Sequence, residues 1–392
     1  MFGIGTLTTL LALSLMGPKL CICLATVAMA WLASLVISAY RARLSDETLT
    51  QDLALLKPTF DTDALLEHTP TREDTDEYYT RTTDRDYRAL AWFVGPGLHT
   101  RLSAKHPIGP HVGNARQVMY VANEVAIAHH QSTKPVRVLE LGAGRGYCTL
   151  LLAGLFQPAS DFQFFGVDRV QRHVEVARND ALDYTNVHFR QGDAAHTSSF
   201  QPYLSTTPFD VVFAIEAACH LDHPEAMRAF LTNTANHLAP DGRLILIDGF
   251  RSENFSTTPP DQQLAMRLAE RAFSIRRMHS MSEWIEGAHA AGLQLKRIED
   301  LTPQALPFWT LGWRVAHAVL HHSPAWVIRR LRASPYMAKS TDNLLAVATV
   351  AHAMRNRAAG VYGVMVLGKG VAKAATGGEV EVVKGDEIER DE

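Results

Sequence analysis

Cysteine is scarce in this chain: Cys21, Cys23, Cys148 and Cys219 are the only four among 392 residues. Their spacing makes no zinc pattern, and a reducing setting is the simplest one for so few thiols. Charge of one sign is not in excess, with 38 Lys and Arg against 41 Asp and Glu. A near-neutral balance gives no electrostatic reason to expect a nucleic-acid partner. There is no internal repeat. The extreme N-terminus has no basic region ahead of its apolar residues, which argues against a secretory signal peptide. The length suits one large domain with additions.

Long apolar runs are present at one end only. From Leu20 to Tyr40 there is no charged residue, and Arg41 and Arg43 follow. Such a stretch is long enough to cross a bilayer as a helix. The basic pair after it places the rest of the chain on the cytoplasmic side of a membrane. Met1 to Pro18 is also uncharged, broken by Gly3, Gly5 and Gly17, and forms either a second marginal span or an interfacial segment. A buried helix pair of a globular domain is the alternative. The expectation is a membrane anchor over 1–43, with the catalytic domain facing the cytoplasm. Residues 44–86 are polar and read as a tether with short helices. The tail 371–392 is acidic and reads as disordered.

The most informative run is Val138-Leu139-Glu140-Leu141-Gly142-Ala143-Gly144-Arg145-Gly146. An apolar strand ends beside a carboxylate, and three glycines then turn the chain into a helix. Glycine has no Cβ, so backbone N–H groups there can approach a ligand closely. Glu140 before the turn favours a cationic or hydroxyl-bearing ligand over a pyrophosphate. Further strands follow: Phe162 to Asp168, ending in an acid; Asn186 to Gln191, followed by Gly192-Asp193; Phe209 to Ile215; and, after Leu238-Ala239-Pro240-Asp241-Gly242, Arg243 to Asp248. Strands and helices alternate as in a parallel sheet covered on both faces. Leu293 to Ile298 and Val361 to Gly368 supply a sixth and a seventh strand. Between them 303–359 is too apolar for disorder and reads as a helical insert forming a lid. Pro259 to His279 reads as a second cover.

These segments, in this order, resemble the motifs of class I S-adenosylmethionine (SAM) methyltransferases. The resemblance implies a Rossmann-like seven-stranded α/β sheet over 87–370 and SAM as cofactor. It implies that Gly142, Gly144 and Gly146 line the methionine part of the cofactor, with Glu140 approaching its amino-acid end or a structuring water. Asp168 would accept hydrogen bonds from the ribose, and Asp193 would face the adenine amine. Ile215-Glu216-Ala217-Ala218-Cys219-His220 is similar to the "IEATCH" segment of sterol side-chain and tocopherol methyltransferases. Trp284 to Gly292, Glu299-Asp300-Leu301-Thr302, Pro307-Phe308-Trp309 and Leu98-His99-Thr100 are similar to further elements of that group. The chain departs from the sterol enzymes at Asp86 to Phe93, where their aromatic motif is absent, and in the residues between the glycines.

Glu216 and His220 are the candidate catalytic residues. A carboxylate can stabilise positive charge developing on an alkene acceptor, and either side chain can take a proton. His220 and His223 have no third ligand nearby in sequence, so no metal is expected. The expected activity is methyl transfer to a lipid-like acceptor: an isoprenoid, a sterol-like molecule, a prenylated aromatic or a fatty acyl chain. The partners are then that hydrophobic substrate and a membrane. The alternatives are O- or N-methylation of a small soluble metabolite and a non-catalytic SAM-fold scaffold. Arg329, Arg330, Arg332 and Lys339 near Trp326 read either as a surface for anionic headgroups or as a solvated helix face.

Overall fold

Val136–Leu141 (β1) is buried at every residue, as expected of a strand in the middle of a sheet with both faces covered. β2 (Phe162–Asp168), β3 (Val187–Gln191), β4 (Phe209–Ile215) and β5 (Leu238–Arg251) run parallel with it. β6 (Leu293–Asp300) and β7 (Gly360–Lys369) close the sheet, β7 antiparallel to both of its neighbours. The order is β3-β2-β1-β4-β5-β7-β6, and β8 (Glu381–Val383) adds to the outer edge. In this computed structural model the described residues are 18–80, 100–102, 110–196, 207–334, 337–369 and 381–383. The seven-stranded Rossmann-like sheet matches the expected fold class. Chain order reverses between β1 and β4, and in such sheets the ligand crevice lies there, beyond the carboxyl ends of the strands.

The helices in chain order are α1 (Pro18–Arg41), α2 (Asp46–Phe60), α3 (Thr62–Glu67), α4 (Arg72–Thr80), α5 (Pro110–Gln131), α6 (Tyr147–Leu155) and α7 (Gln171–Asp180). They continue with α8 (Pro224–His237), α9 (Pro260–Ala272), α10 (Met281–Ala290), α11 (Thr302–His322), α12 (Ala325–Arg332) and α13 (Ala338–Met354). Alternation along the strands divides the core. Val136 and Val138 join Val121, Leu152 and Val174 of α5, α6 and α7 on one face. Leu139 and Leu141 join Phe230 of α8 and Trp284 of α10 on the other.

A separate helical layer stands over the carboxyl edge. α2 begins with a capping box: Ser45 Oγ accepts from Thr48 N (3.1 Å), and Thr48 Oγ1 accepts from Ser45 N (3.0 Å). Leu49, Asp52, Leu56 and Phe60 then recur at helical spacing and are buried. Leu56 and Phe60 pack with Leu268 of α9, Leu320 of α11 and Leu345 of α13. The stretch expected to be a polar tether is thus, over its described part, helical and partly interior. Arg329 Nη1 and Arg332 Nη1 donate to the carbonyls of Pro58 and Phe60, 2.9 Å each, so these two cations cap the C-terminus of α2. Glu381–Val383, within the tail expected to be disordered, pairs with Arg297 to Glu299 of β6.

The membrane placement is overturned. Among the described residues no helix is long and apolar enough to cross a membrane. Leu20 to Tyr40 lies in α1, which packs along α11, and Trp31 Nε1 donates to the carbonyl of His322 at 3.0 Å. A face of α1 is therefore occupied by protein. Residues 1–17, Asp86 to Phe93, Leu98-His99 and the rest of the tail beyond 370 lie outside the described residues.

Candidate active site

The glycine turn after β1 forms the floor of a cavity. Gly144 has φ +51°, and a Cβ added there would meet no atom within 4 Å. Its backbone therefore faces open space, and a side chain would project into it. Gly146 (φ +83°) is different: a Cβ would fall 2.6 Å from the Phe189 ring. It shapes the turn against the protein and opens α6 as its N-cap. Gly142 and Gly144 line the cavity, and so do Asp168, Asp193, Glu216 and His220.

Glu140 is not among the lining residues. It is buried beneath the turn, where its Oε2 accepts from Thr149 N at 3.0 Å and from the Thr149 hydroxyl. Burial pushes its carboxyl up to about 8. The residue expected at the cofactor's amino-acid end instead ties β1 to α6.

Asp168 ends β2 and points across the turn. Its Oδ2 accepts from Gly144 N (2.8 Å), and its Oδ1 accepts from Val170 N (2.9 Å). A carboxylate offers about four acceptor positions, so these two backbone donors leave capacity for hydroxyl groups. Asp193, after β3, accepts from Ala195 N at 2.8 Å and forms an ion pair with Arg72 of α4. Arg169 pairs with Asp76 on the same helix at 2.5 Å. Two ion pairs thus strap α4 across this end of the cavity.

Glu216 follows β4 in the left-handed region (φ 49°), which costs a non-glycine residue roughly 1–3 kcal/mol. Glu216 N donates to Ile247 O (2.8 Å), which holds it there. Its Oε1 accepts from Thr100 N (2.7 Å), the Tyr362 hydroxyl (2.7 Å) and Gln117 Nε2 (3.2 Å). Asp248 of β5 lies on the same wall. It accepts from Cys219 N (2.9 Å) and Gly249 N (2.8 Å). Burial, together with the nearby charge of Glu216, pushes the Asp248 carboxyl up to about 7. His220 Nε2 lies 2.7 Å from the hydroxyl of Tyr79, which α4 brings in. Burial drives the Tyr79 and Tyr362 hydroxyls well above their ordinary range, so neither gives up its proton near neutrality.

Asp248, Tyr79, Tyr362 and Gln117 were not read as site residues from sequence. Asp248 carried a signal: it closes the apolar run Leu244 to Ile247 within β5, as Asp168 closes that of β2, and Glu216 directly follows β4. Tyr79 carried none, since nothing local marks a partner 141 positions away.

The cavity has a volume of about 420 Å³. Beyond Glu216 its lining becomes apolar, with Met266 of α9, Phe308 and Trp309 of α11, and Val347, Val350 and Met354 of α13. Phe273 meets Trp309 edge to face, with ring centroids 6.2 Å apart.

A family model described as a methyltransferase domain matches residues 132–289. That range spans the glycine turn, both aspartates, Glu216, His220 and Asp248. These residues form a class I SAM-dependent methyltransferase domain. Similar curated proteins include a protein-L-isoaspartate O-methyltransferase of Bordetella avium, 33% identical over 44% of this chain and 61% of that protein. A ubiquinone biosynthesis O-methyltransferase of Rickettsia felis is 24% identical over 34% of this chain and 49% of that protein. The chain spans about half to three fifths of the length of the curated relatives it matches. Among solved structures, a cyclopropane synthase from Mycobacterium tuberculosis covers 76% of this chain and 99% of its own, with TM-score 0.57 and 15% identity. A geranyl diphosphate C-methyltransferase from Streptomyces coelicolor, solved with S-adenosylhomocysteine, covers 76% and 97%, with TM-score 0.51 and 13% identity. These likenesses establish the fold.

The methyltransferase domain's cofactor is SAM, and the site fits it. The open backbone at Gly144 is a cradle that a Cβ would fill, and Asp168 retains acceptor capacity beside it.

Proposed function

We propose that the chain transfers the methyl group of SAM to an apolar, isoprenoid- or lipid-like acceptor. The carrying observation is the join within one cavity: a glycine-and-aspartate floor meets an apolar chamber at a wall of acids. The likeness of Ile215 to His220 to sterol and tocopherol enzymes supports the same acceptor class, as does a fold shared with a geranyl diphosphate C-methyltransferase.

When bound, SAM supplies an electrophilic methyl group. The backbone at Gly142 and Gly144 would hold its amino-acid side, Asp168 would accept from the ribose, and Asp193 would serve the base. Glu140 and Gly146 act indirectly, by shaping the turn. Alignment of the acceptor falls to the chamber walls, because positioning is most of what transfer from an activated donor requires. Glu216, fixed by three donors, presents a carboxylate to positive charge developing on an unsaturated acceptor. Asp248 exchanges its proton near neutral pH, so it can collect the one the acceptor loses. His220 and Tyr79 form a second pair on that wall through which a proton can pass.

Incubation of the full chain with methyl-labelled SAM and a total lipid extract tests this reading. Label is expected in organic-phase products, and Glu216→Gln is expected to slow its appearance by about 10²-fold. Label confined to water-soluble products would overturn the acceptor class.

Asp248 favours one other reading, methylation at an oxygen of a smaller metabolite. A base that titrates near neutrality suits removal of a hydroxyl proton. Mass spectrometry of the labelled product separates the two: loss of the label under ester or ether cleavage selects oxygen, and its retention selects carbon.

A further inference from the structure

Above the roof of the chamber a second polar cluster lies apart from the cavity. Asp52 of α2 is 1% exposed at its side chain. His317 Nδ1 (2.7 Å) and His321 Nε2 (3.4 Å) converge on its Oδ1. Trp313 Nε1 (2.8 Å) and His352 Nε2 (3.2 Å) converge on its Oδ2. His317 and His321 are four residues apart on α11, which puts both rings on one helix face. Their centroids are 4.1 Å apart. One ligand atom each from Asp52, His317 and His321 lies within 4.8 Å of the other two.

We propose that Asp52, His317 and His321 bind a zinc-class divalent transition metal that pins α2 to α11. Imidazole nitrogen with one carboxylate oxygen is a donor set such ions accept. The distances discriminate. Ordinary N–H···O bonds run from about 2.7 to about 3.2 Å, which covers the His317 (2.7 Å) and His352 (3.2 Å) contacts, whereas the His321 contact at 3.4 Å exceeds it. Ligands each about 2.0–2.2 Å from a tetrahedral ion lie roughly 3.3–3.5 Å from one another, which the 3.4 Å separation of His321 and Asp52 fits; His317, at 2.7 Å, exchanges its hydrogen bond for the ion. His352 is fully buried, and its Nδ1 has no hydrogen-bond partner among the described residues. His321, 30% exposed at its side chain, provides the entry route. Two ligands come from buried positions and the third is near the surface, which leaves the fourth position of a tetrahedral ion to water. Its consequence reaches the chamber, since α11 and α13 also carry Trp309, Val347 and Met354.

The test uses the full chain without an affinity histidine tag, stripped with chelator and titrated with Co²⁺, then with Zn²⁺. One cobalt per chain is expected, with the visible d–d band of a tetrahedral nitrogen–oxygen site. Zinc is expected to displace it and to raise the melting temperature. His321→Gln, at the exposed end of the cluster, is expected to lose the band and to weaken cobalt binding at least tenfold. The neighbouring His322→Gln is expected to bind as the parent does, and SAM binding by calorimetry reports that both variants are folded. A stripped chain that gives neither band nor zinc-dependent melting shift would overturn the site. So would unchanged cobalt affinity in a folded His321→Gln.

Discussion

The floor of the cavity and its roof are built from chain organised in opposite ways. The floor comes from strand ends and the turns that directly follow them. Gly142, Gly144, Asp168, Asp193, Glu216 and Asp248 all fall at the carboxyl edge of one sheet, where the topology itself gathers them. The roof comes from helices that are distant in sequence. Asp52 of α2 meets His317 and His352, and Tyr79 of α4 meets His220, across separations of 265, 300 and 141 residues. On the proposed function, the floor serves the cofactor and the roof meets the acceptor. Changes to one should leave the other's readout alone.

The sharpest break is expected at the floor. Gly144→Asp places a carboxylate in the open space beside Asp168, and SAM affinity by calorimetry should fall by about 10³-fold, the cost of crowding like charges into a ligand site. The fold should persist at a cost of about 1–2 kcal/mol for a side chain at φ +51°, a conformation aspartate visits, since no protein atom lies near the new Cβ. Retained affinity would dissociate the cavity from the cofactor. Next, Glu216→Gln should lower kcat by about 10²-fold, with SAM affinity within a few-fold of the parent. Equal losses in both would make Glu216 a cofactor-binding residue and nothing more.

Asp248 gives a smaller, pH-dependent signature. Its carboxyl sits near 7 in the folded chain, so kcat/KM should climb as pH passes through about 7. Asp248→Asn should flatten that limb and cost about tenfold at higher pH. The same shift acts on stability with the opposite slope. A raised carboxyl contributes fully below about pH 4, the unfolded value, and that contribution is lost as pH rises through about 7. Thermal melts of Asp248→Asn should therefore lack this fall between those limits.

The roof should respond differently. Trp309→Ala enlarges the chamber, and KM for an apolar acceptor should rise about tenfold, with SAM affinity unchanged, in keeping with about 1–3 kcal/mol for a large apolar contact. The smallest effect is expected at the strap over the floor. Arg72→Ala removes a half-exposed ion pair with Asp193, worth at most about 1 kcal/mol, so SAM affinity should change by no more than a few-fold.

The same contrast explains what could be read before the structure. Strand ends followed by acids, and a glycine turn before a helix, are local patterns with period and punctuation. The sheet, and the strand ends that line the cavity, were legible from them. Glu140 was misplaced because its neighbour in sequence, the turn, is not its neighbour in hydrogen bonding. Its partner is Thr149, one helical turn into α6. α2 has the helical pattern Leu49, Leu56, Phe60, but Asp52 interrupts the apolar face, and a polar tether was the natural reading. Only its distant partners, Trp313, His317 and His352, make burial of that acid affordable. α1 is apolar enough to suggest a membrane, and the surface of α11 that it packs on is not visible in its own residues. Contacts between helices hundreds of positions apart leave no mark on either segment alone.

The most direct measurement is a crystal structure of the full chain with S-adenosylhomocysteine. The account predicts the ribose at Asp168, the amino-acid end along Gly142 and Gly144, and the sulfur facing the chamber bounded by Glu216 and Trp309. A nucleoside bound elsewhere, or a sulfur turned away from that chamber, would contradict it.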